Sequence, residues 1–210
     1  LEVGDPQTRE HLLKNAARGL AQLQSLADEN RLARQLPVIG ARRGWYLDFT
    51  RAPKQLALNL RLETPDYDDE LIAAFVSQRE DAFVKWDARP GNALVSAGAV
   101  SWIDWEHCGL GSIEDDLVWL FADEWTPMSQ DVAVWAIRQL AVSRQLSFDE
   151  LYERFATKLV LHSCMRLGLI FRRKGDGGWW NPAEAIAHDR VGVSAAHVRS
   201  VCRRMRLIAA

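Results

Sequence analysis

The sequence predicts a mainly α-helical domain with one small β-hairpin, an α+β fold. Two observations carry this. Apolar residues recur at helical spacing near the start and again over residues 114–210, while a single central stretch reads as strand, turn and strand. The 210 residues suffice for one domain with a sizeable core or for two small ones.

Taken in order, Asp5-Pro6 reads as a helix cap followed by proline at the first helical position. Leu12, Leu13, Ala16, Leu20, Leu23 and Ala27 then mark one face of a long helix. Residues 36–62 predict irregular structure with one or two short strands, because Gly40, Gly44 and Pro53 interrupt the apolar pieces 45–49 and 56–62. Thr64-Pro65-Asp66 is a stop-and-cap signal before a helix over 67–78 that turns Leu71, Ile72 and Phe75 inward. The acids Asp66, Asp68, Asp69 and Glu70 crowd its first turn, where they complement the helix dipole or form a wall for a cationic acceptor. After the hairpin, helices are predicted over 114–125, 129–145 and 147–173, the last two capped by Ser129 and Ser147. A final helical region opens at Asn181-Pro182, and Arg199, Arg203, Arg204 and Arg206 near its end read as a solvated basic face.

Composition removes several function classes. Lysine and arginine (26) balance aspartate and glutamate (28), so no nucleic-acid partner is indicated. Apolar runs fall short of the ~18 residues of a membrane span and no leader opens the sequence, so no membrane partner is expected and the cytoplasm is the expected location. Cys108, Cys164 and Cys202 are widely spaced and read as reduced thiols. His162 shares a helical face with Leu151, Phe155 and Leu159 and reads as a core histidine. Of nine tryptophans, most are expected in the core, with Trp179 and Trp180 in a glycine-rich turn as the preferred exposed pair for an acceptor pocket.

The chemistry concentrates in residues 83–106. Phe83 to Trp86 is an apolar run suited to a strand, and Arg89-Pro90-Gly91 is turn chemistry, so Asp87 and Asn92 flank one tight loop. A hairpin bending at Ser96-Ala97-Gly98 then returns Asp104 to that loop. Two carboxylates and an amide so placed suggest bound magnesium, which takes a few protein oxygens together with substrate phosphates.

The pattern Asp87-x-Arg89-Pro90-x-Asn92 followed by Ile103-Asp104-Trp105 resembles the catalytic loop and metal triplet of protein-kinase-like phosphotransferases, nearest to the aminoglycoside phosphotransferase and choline kinase group. Glu106 to Gly111 and the Asp115-Asp116-Leu117 helix opening extend the likeness over residues 83–117. The resemblance implies that Asp87 orients or deprotonates an acceptor hydroxyl, that Asn92 and Asp104 hold Mg2+ on the nucleotide, and that Arg89 touches the transferred phosphate. Glu106, Asp116, Trp179 and Trp180 are secondary candidates on the acceptor side.

Two departures stand out. Lys85-Trp86 replaces the family's usual His-Gly, which removes an expected brace of the loop. No glycine-rich phosphate loop or nucleotide-binding strand lysine is visible, so residues 1–210 are expected to form a single domain like the C-terminal lobe of the kinase-like fold. An N-terminal lobe would then act in cis or come from a partner chain. The function implied is ATP-dependent phosphorylation of a small-molecule hydroxyl; the alternative is a pseudokinase-like binding or regulatory domain.

Overall fold

Asp5 starts the first helix as its backbone and side chain dictate. Its φ of −101° is extended, and its carboxylate accepts from the N–H groups of Gln7 and Thr8 at 3.3 and 2.9 Å, satisfying donors that a helix start leaves unpaired. The computed structural model describes residues 5–40, 45–78, 81–127, 129–174 and 194–209. The region expected at Asn181-Pro182, with Trp179 and Trp180, lies outside them. Helix α1 (Pro6–Glu29) buries Leu13, Ala16, Leu20 and Ala27 of the predicted stripe.

Residues 36–62 correct the sequence expectation. They are largely helical, in α2 (Trp45–Thr50) and α3 (Ala52–Leu60). Pro53 sits in the first turn of α3, where its missing N–H costs nothing, so it starts a helix rather than interrupting one. Among the described residues, the expected strand survives only as a parallel bridge between Val38 and Leu110, bonded through Ile39 N–H to Leu110 O (2.8 Å) and Leu110 N–H to Pro37 O (2.9 Å). The approach there requires Gly109, since a Cβ would lie 2.6 Å from the Pro37 carbonyl oxygen.

Helix α4 (Asp69–Val76) is shorter than predicted and is capped by Asp68, which accepts from the N–H groups of Glu70 and Leu71. Leu71 was expected inward but is 67% exposed; Ala73 and Val76 are buried instead. Asp69 pairs with Arg51 and Lys54, so two of the four acids have structural work.

Two short antiparallel ladders follow. Strand β1 (Ala82–Val84) pairs with β4 (Gly109–Gly111), and β2 (Ala93–Ser96) pairs with β3 (Ala99–Trp102) in the predicted hairpin. Ala97 and Gly98 have φ of 48° and 79°, the paired left-handed residues that a tight hairpin with right-twisted strands demands.

The rest is helical: α5 (Asp115–Ala122), α6 (Gln130–Arg144), α7 (Phe148–Lys174) and α8 (Ala195–Ala209). The Ser147 hydroxyl accepts from Glu150 N–H at 3.4 Å, whereas Ser129 stands at its cap position without a side-chain cap bond. The main core joins α1, α5, α6 and α7 through Leu20, Leu117, Phe121, Ile137 and Phe155. Arg199, Arg203 and Arg206 are exposed as predicted, but Arg204 is 2% exposed and donates to the Asp123 carbonyl at 2.7 Å. The solvated-face reading is corrected for that residue. All three cysteines are free thiols, and no helix among the described residues is long and apolar enough to cross a membrane.

Candidate active site

The loop after β1 is held from behind. Asp116, in the first turn of α5, accepts from Lys85 N–H at 2.9 Å and from Trp86 N–H at 2.8 Å, one on each carboxylate oxygen. It is 1% exposed, and burial pushes its carboxyl up to about 7. The acceptor-side role expected for Asp116 is therefore corrected: both oxygens are committed to the backbone of the loop. What they restrain is a strained turn, since Trp86 and Asp87 have φ of 57° and 46°.

Asp87 emerges from that turn clamped on both sides. Its Oδ2 accepts from Asn92 Nδ2 at 2.8 Å, which also donates to the Asp87 carbonyl at 3.0 Å, and its Oδ1 lies 3.2 Å from Arg89 Nε. Asn92 ends a single 3-10 turn (Pro90–Asn92) and is 7% exposed. Its carbonyl accepts from Ile103 N–H at 3.0 Å, so the hairpin return delivers Asp104 beside the loop, as the spacing predicted. Asp104 is exposed and itself left-handed, with φ of 59°.

Lys85 supplies the brace that the sequence seemed to have lost. The residue has 0% exposure, and its Nζ donates to the Asp104 carbonyl at 2.9 Å and reaches the Trp86 carbonyl at 3.5 Å. The ammonium lies over the rings of Trp102 and Trp105, 5.7 and 5.4 Å from their centroids. Burial lowers its pKa, opposed by Asp87, Asp116 and Asp104. Glu106 points to solvent and pairs with His107 at 3.3 Å.

These residues fit a divalent cation of a particular kind. The Asn92 amide nitrogen is turned to Asp87, which leaves its planar amide presenting oxygen on the other side, and the Asp104 carboxylate is exposed. Among the described residues no group of three or more His, Cys, Asp or Glu could hold a metal alone. Two oxygen donors match a cation that brings phosphate oxygens with it.

The sequence of residues 1–152 matches the family model described as the phosphotransferase enzyme family. The chain belongs to that family. The match runs from α1 into the first turn of α7 and contains the whole clamped loop, and membership places the chain among phosphotransferases acting on small molecules. No curated protein matches it.

The family loop rests on an ionic seam that sequence reading missed. On α7, Arg154 bonds Glu114 at 3.2 Å, Lys158 bonds Glu114 at 3.0 Å and Asp115 at 2.7 Å, and Arg166 grips Glu124 through both carboxylate oxygens. All six residues are at most 8% exposed. Burial raises the Asp115 pKa against the pull of Lys158, whose own pKa is raised by Asp115 and Glu114 despite burial. Asp123 is likewise pushed up to about 6 by burial. The legible signal was spacing: Arg154, Lys158, His162 and Arg166 recur every four residues on one face. His162 is the core histidine predicted, 4% exposed and set edge-on to Trp119 at 4.3 Å, with burial pushing its pKa down to about 3.

Proposed function

We propose that this chain transfers the γ-phosphate of ATP to a hydroxyl of a small molecule. The observation that carries the reading is the clamped Asp87: an aspartate fixed at both oxygens, beside two oxygen donors, Asn92 and Asp104, that suit a phosphate-bound cation. Asp87 orients the acceptor hydroxyl and takes its proton as the oxygen–phosphorus bond forms and ADP leaves. Arg89, held against Asp87, would touch the transferred phosphoryl oxygens through its guanidinium. Asn92 and Asp104 would hold Mg2+, which neutralises phosphate charge when bound. Glu106, with Trp179 and Trp180, is proposed to border the acceptor.

The nucleotide is completed by a covering lobe in cis or on a partner chain. Leu94 and Ile103, 57% and 40% exposed beside the loop, offer apolar surface that a nucleotide and its cover would bury. The reduced thiols suit the cytoplasm. Calorimetric titration with ATP, with and without Mg2+, tests the reading. Magnesium-dependent binding lost in Asp104→Asn is expected. Absence of binding at millimolar ATP, even with the covering lobe supplied, would overturn it in favour of a binding or regulatory module.

A further inference from the structure

The acids around α5 are not partnered alike. Glu114, Asp115 and Glu124 meet cations from α7, whereas Asp116, 1% exposed, accepts two backbone N–H groups and, among the described residues, no ammonium or guanidinium. A buried carboxylate without a cationic partner is costly to keep ionised. Each of its oxygens retains a second lone pair beyond the one that its N–H occupies.

A cleft leads to this carboxylate. Between α1, α5 and α6 lies a space of about 190 Å3, whose lining runs from the exposed Arg18, Gln22, Gln139 and Ser143 to Gln24 and Asp116, at 2% and 1% exposure. Gln24 is oriented by its Nε2, which donates to the Ile113 carbonyl at 3.0 Å. Its Oε1 is left as a buried acceptor with no hydrogen-bond partner. Leu20, Ala21, Leu117 and Leu140 make the walls apolar. The same helices are clamped beside the cleft, where Arg18 lies over Trp135 at 4.8 Å from the ring centroid and Arg144 pairs with Asp28. The buried end thus offers acceptors and a negative charge, and the walls offer apolar surface. An ammonium group carries three donors and the missing counter-charge, and a short alkyl chain suits the leucines. At about 30 Å3 for each water, the space takes a molecule of roughly six heavy atoms.

We propose that this cleft is a binding site for a small primary amine, whose ammonium donates to Gln24 Oε1 and pairs with Asp116, tightening the loop that carries Asp87. A cation there holds Asp116 ionised, and the ionised carboxylate keeps both the Lys85 and the Trp86 N–H bonds. Binding requires neither nucleotide nor turnover.

The test is an amide NMR titration of the full chain at pH 8 with n-butylamine, an ammonium at that pH, against n-butanol at the same ionic strength. Butylamine should give saturable shifts at the Gln24 side-chain amide and at the Lys85 and Trp86 N–H groups, in the millimolar range open to so small a ligand, and should slow hydrogen exchange of those two N–H groups several-fold. Butanol should give neither. Gln24→Leu removes a bond to a charged donor and should weaken binding roughly tenfold or more, and Ala21→Leu should abolish it by filling the cleft. No saturable shift with butylamine overturns the proposal. Equal shifts with butanol also overturn it, since they mean an apolar cleft only, and binding unchanged in Ala21→Leu overturns it by placing the amine elsewhere. Saturable binding with unchanged exchange at Trp86 overturns the effect on the loop. If Gln24→Leu does not fold, Ala21→Leu decides.

Discussion

Changing Asp116 to asparagine replaces one carboxylate oxygen by an NH2 group and should loosen the loop that carries Asp87. The carboxylate accepts two buried N–H groups, from Lys85 and Trp86, and an amide of the same shape can accept only one. The other N–H then faces an NH2 group with no water to replace the lost bond. An unmade buried bond costs about 1–3 kcal/mol, which raises the open population of the loop roughly 5- to 150-fold. The strained Trp86, at φ 57°, relaxes once released, so the loss acts on the residue before Asp87. Amide hydrogen exchange reads this directly: protection of Trp86 or Lys85 N–H should fall by that factor at pH 8. At pH 5, below the value of about 7 to which burial pushes Asp116, the wild-type carboxyl is itself protonated and half a donor, so the difference should shrink. Equal protection in the two proteins at pH 8 would refute the argument.

Asp87→Ala should keep Mg2+-dependent ATP binding and lose turnover, checked by calorimetry alongside a hydroxyl-acceptor screen; retained turnover removes the role given to Asp87. Arg166→Met leaves Glu124 charged and unpaired in the interior, and urea unfolding should show a loss of about 3–5 kcal/mol, against a much smaller loss when Glu124 is replaced as well. His162→Phe removes two buried ring nitrogens that have no hydrogen-bond partner, so thermal melting should show equal or higher stability. Asp116 and Asp123 have folded pKa values raised to about 7 and about 6, above the unfolded value near 4. Their protonated forms favour the folded state, and that contribution is lost as pH rises from about 4 through about 7. Asp116→Asn should flatten the fall measured by urea titration.

The parts of the molecule governed by local rules were legible. Asp5-Pro6 announced α1, Ala97-Gly98 announced the hairpin, and the spacing of Asp87, Asn92 and Asp104 announced a convergence delivered by the Asn92 amide on Asp87 and by Ile103 N–H on Asn92 O. What failed depended on partners distant in sequence. Pro53 reads equally as a breaker or a helix start, and the packing of α3 against α7 decides between them. Lys85 looked like the loss of a brace because nothing in its neighbourhood reveals that its ammonium reaches a carbonyl 19 residues away. Arg204 looked solvated because its acceptor lies 81 residues back.

The ionic seam also bears on how this chain can be divided. The family match ends at residue 152, yet the counter-ions of Glu114, Asp115 and Glu124 arrive at residues 154, 158 and 166. A fragment cut where the family pattern stops would carry three carboxylates built for the interior and none of their cations. On a ribosome the same imbalance persists until α7 emerges, so the loop containing Asp87 gains its foundation only after the stretch that lies outside the recognisable pattern has been made.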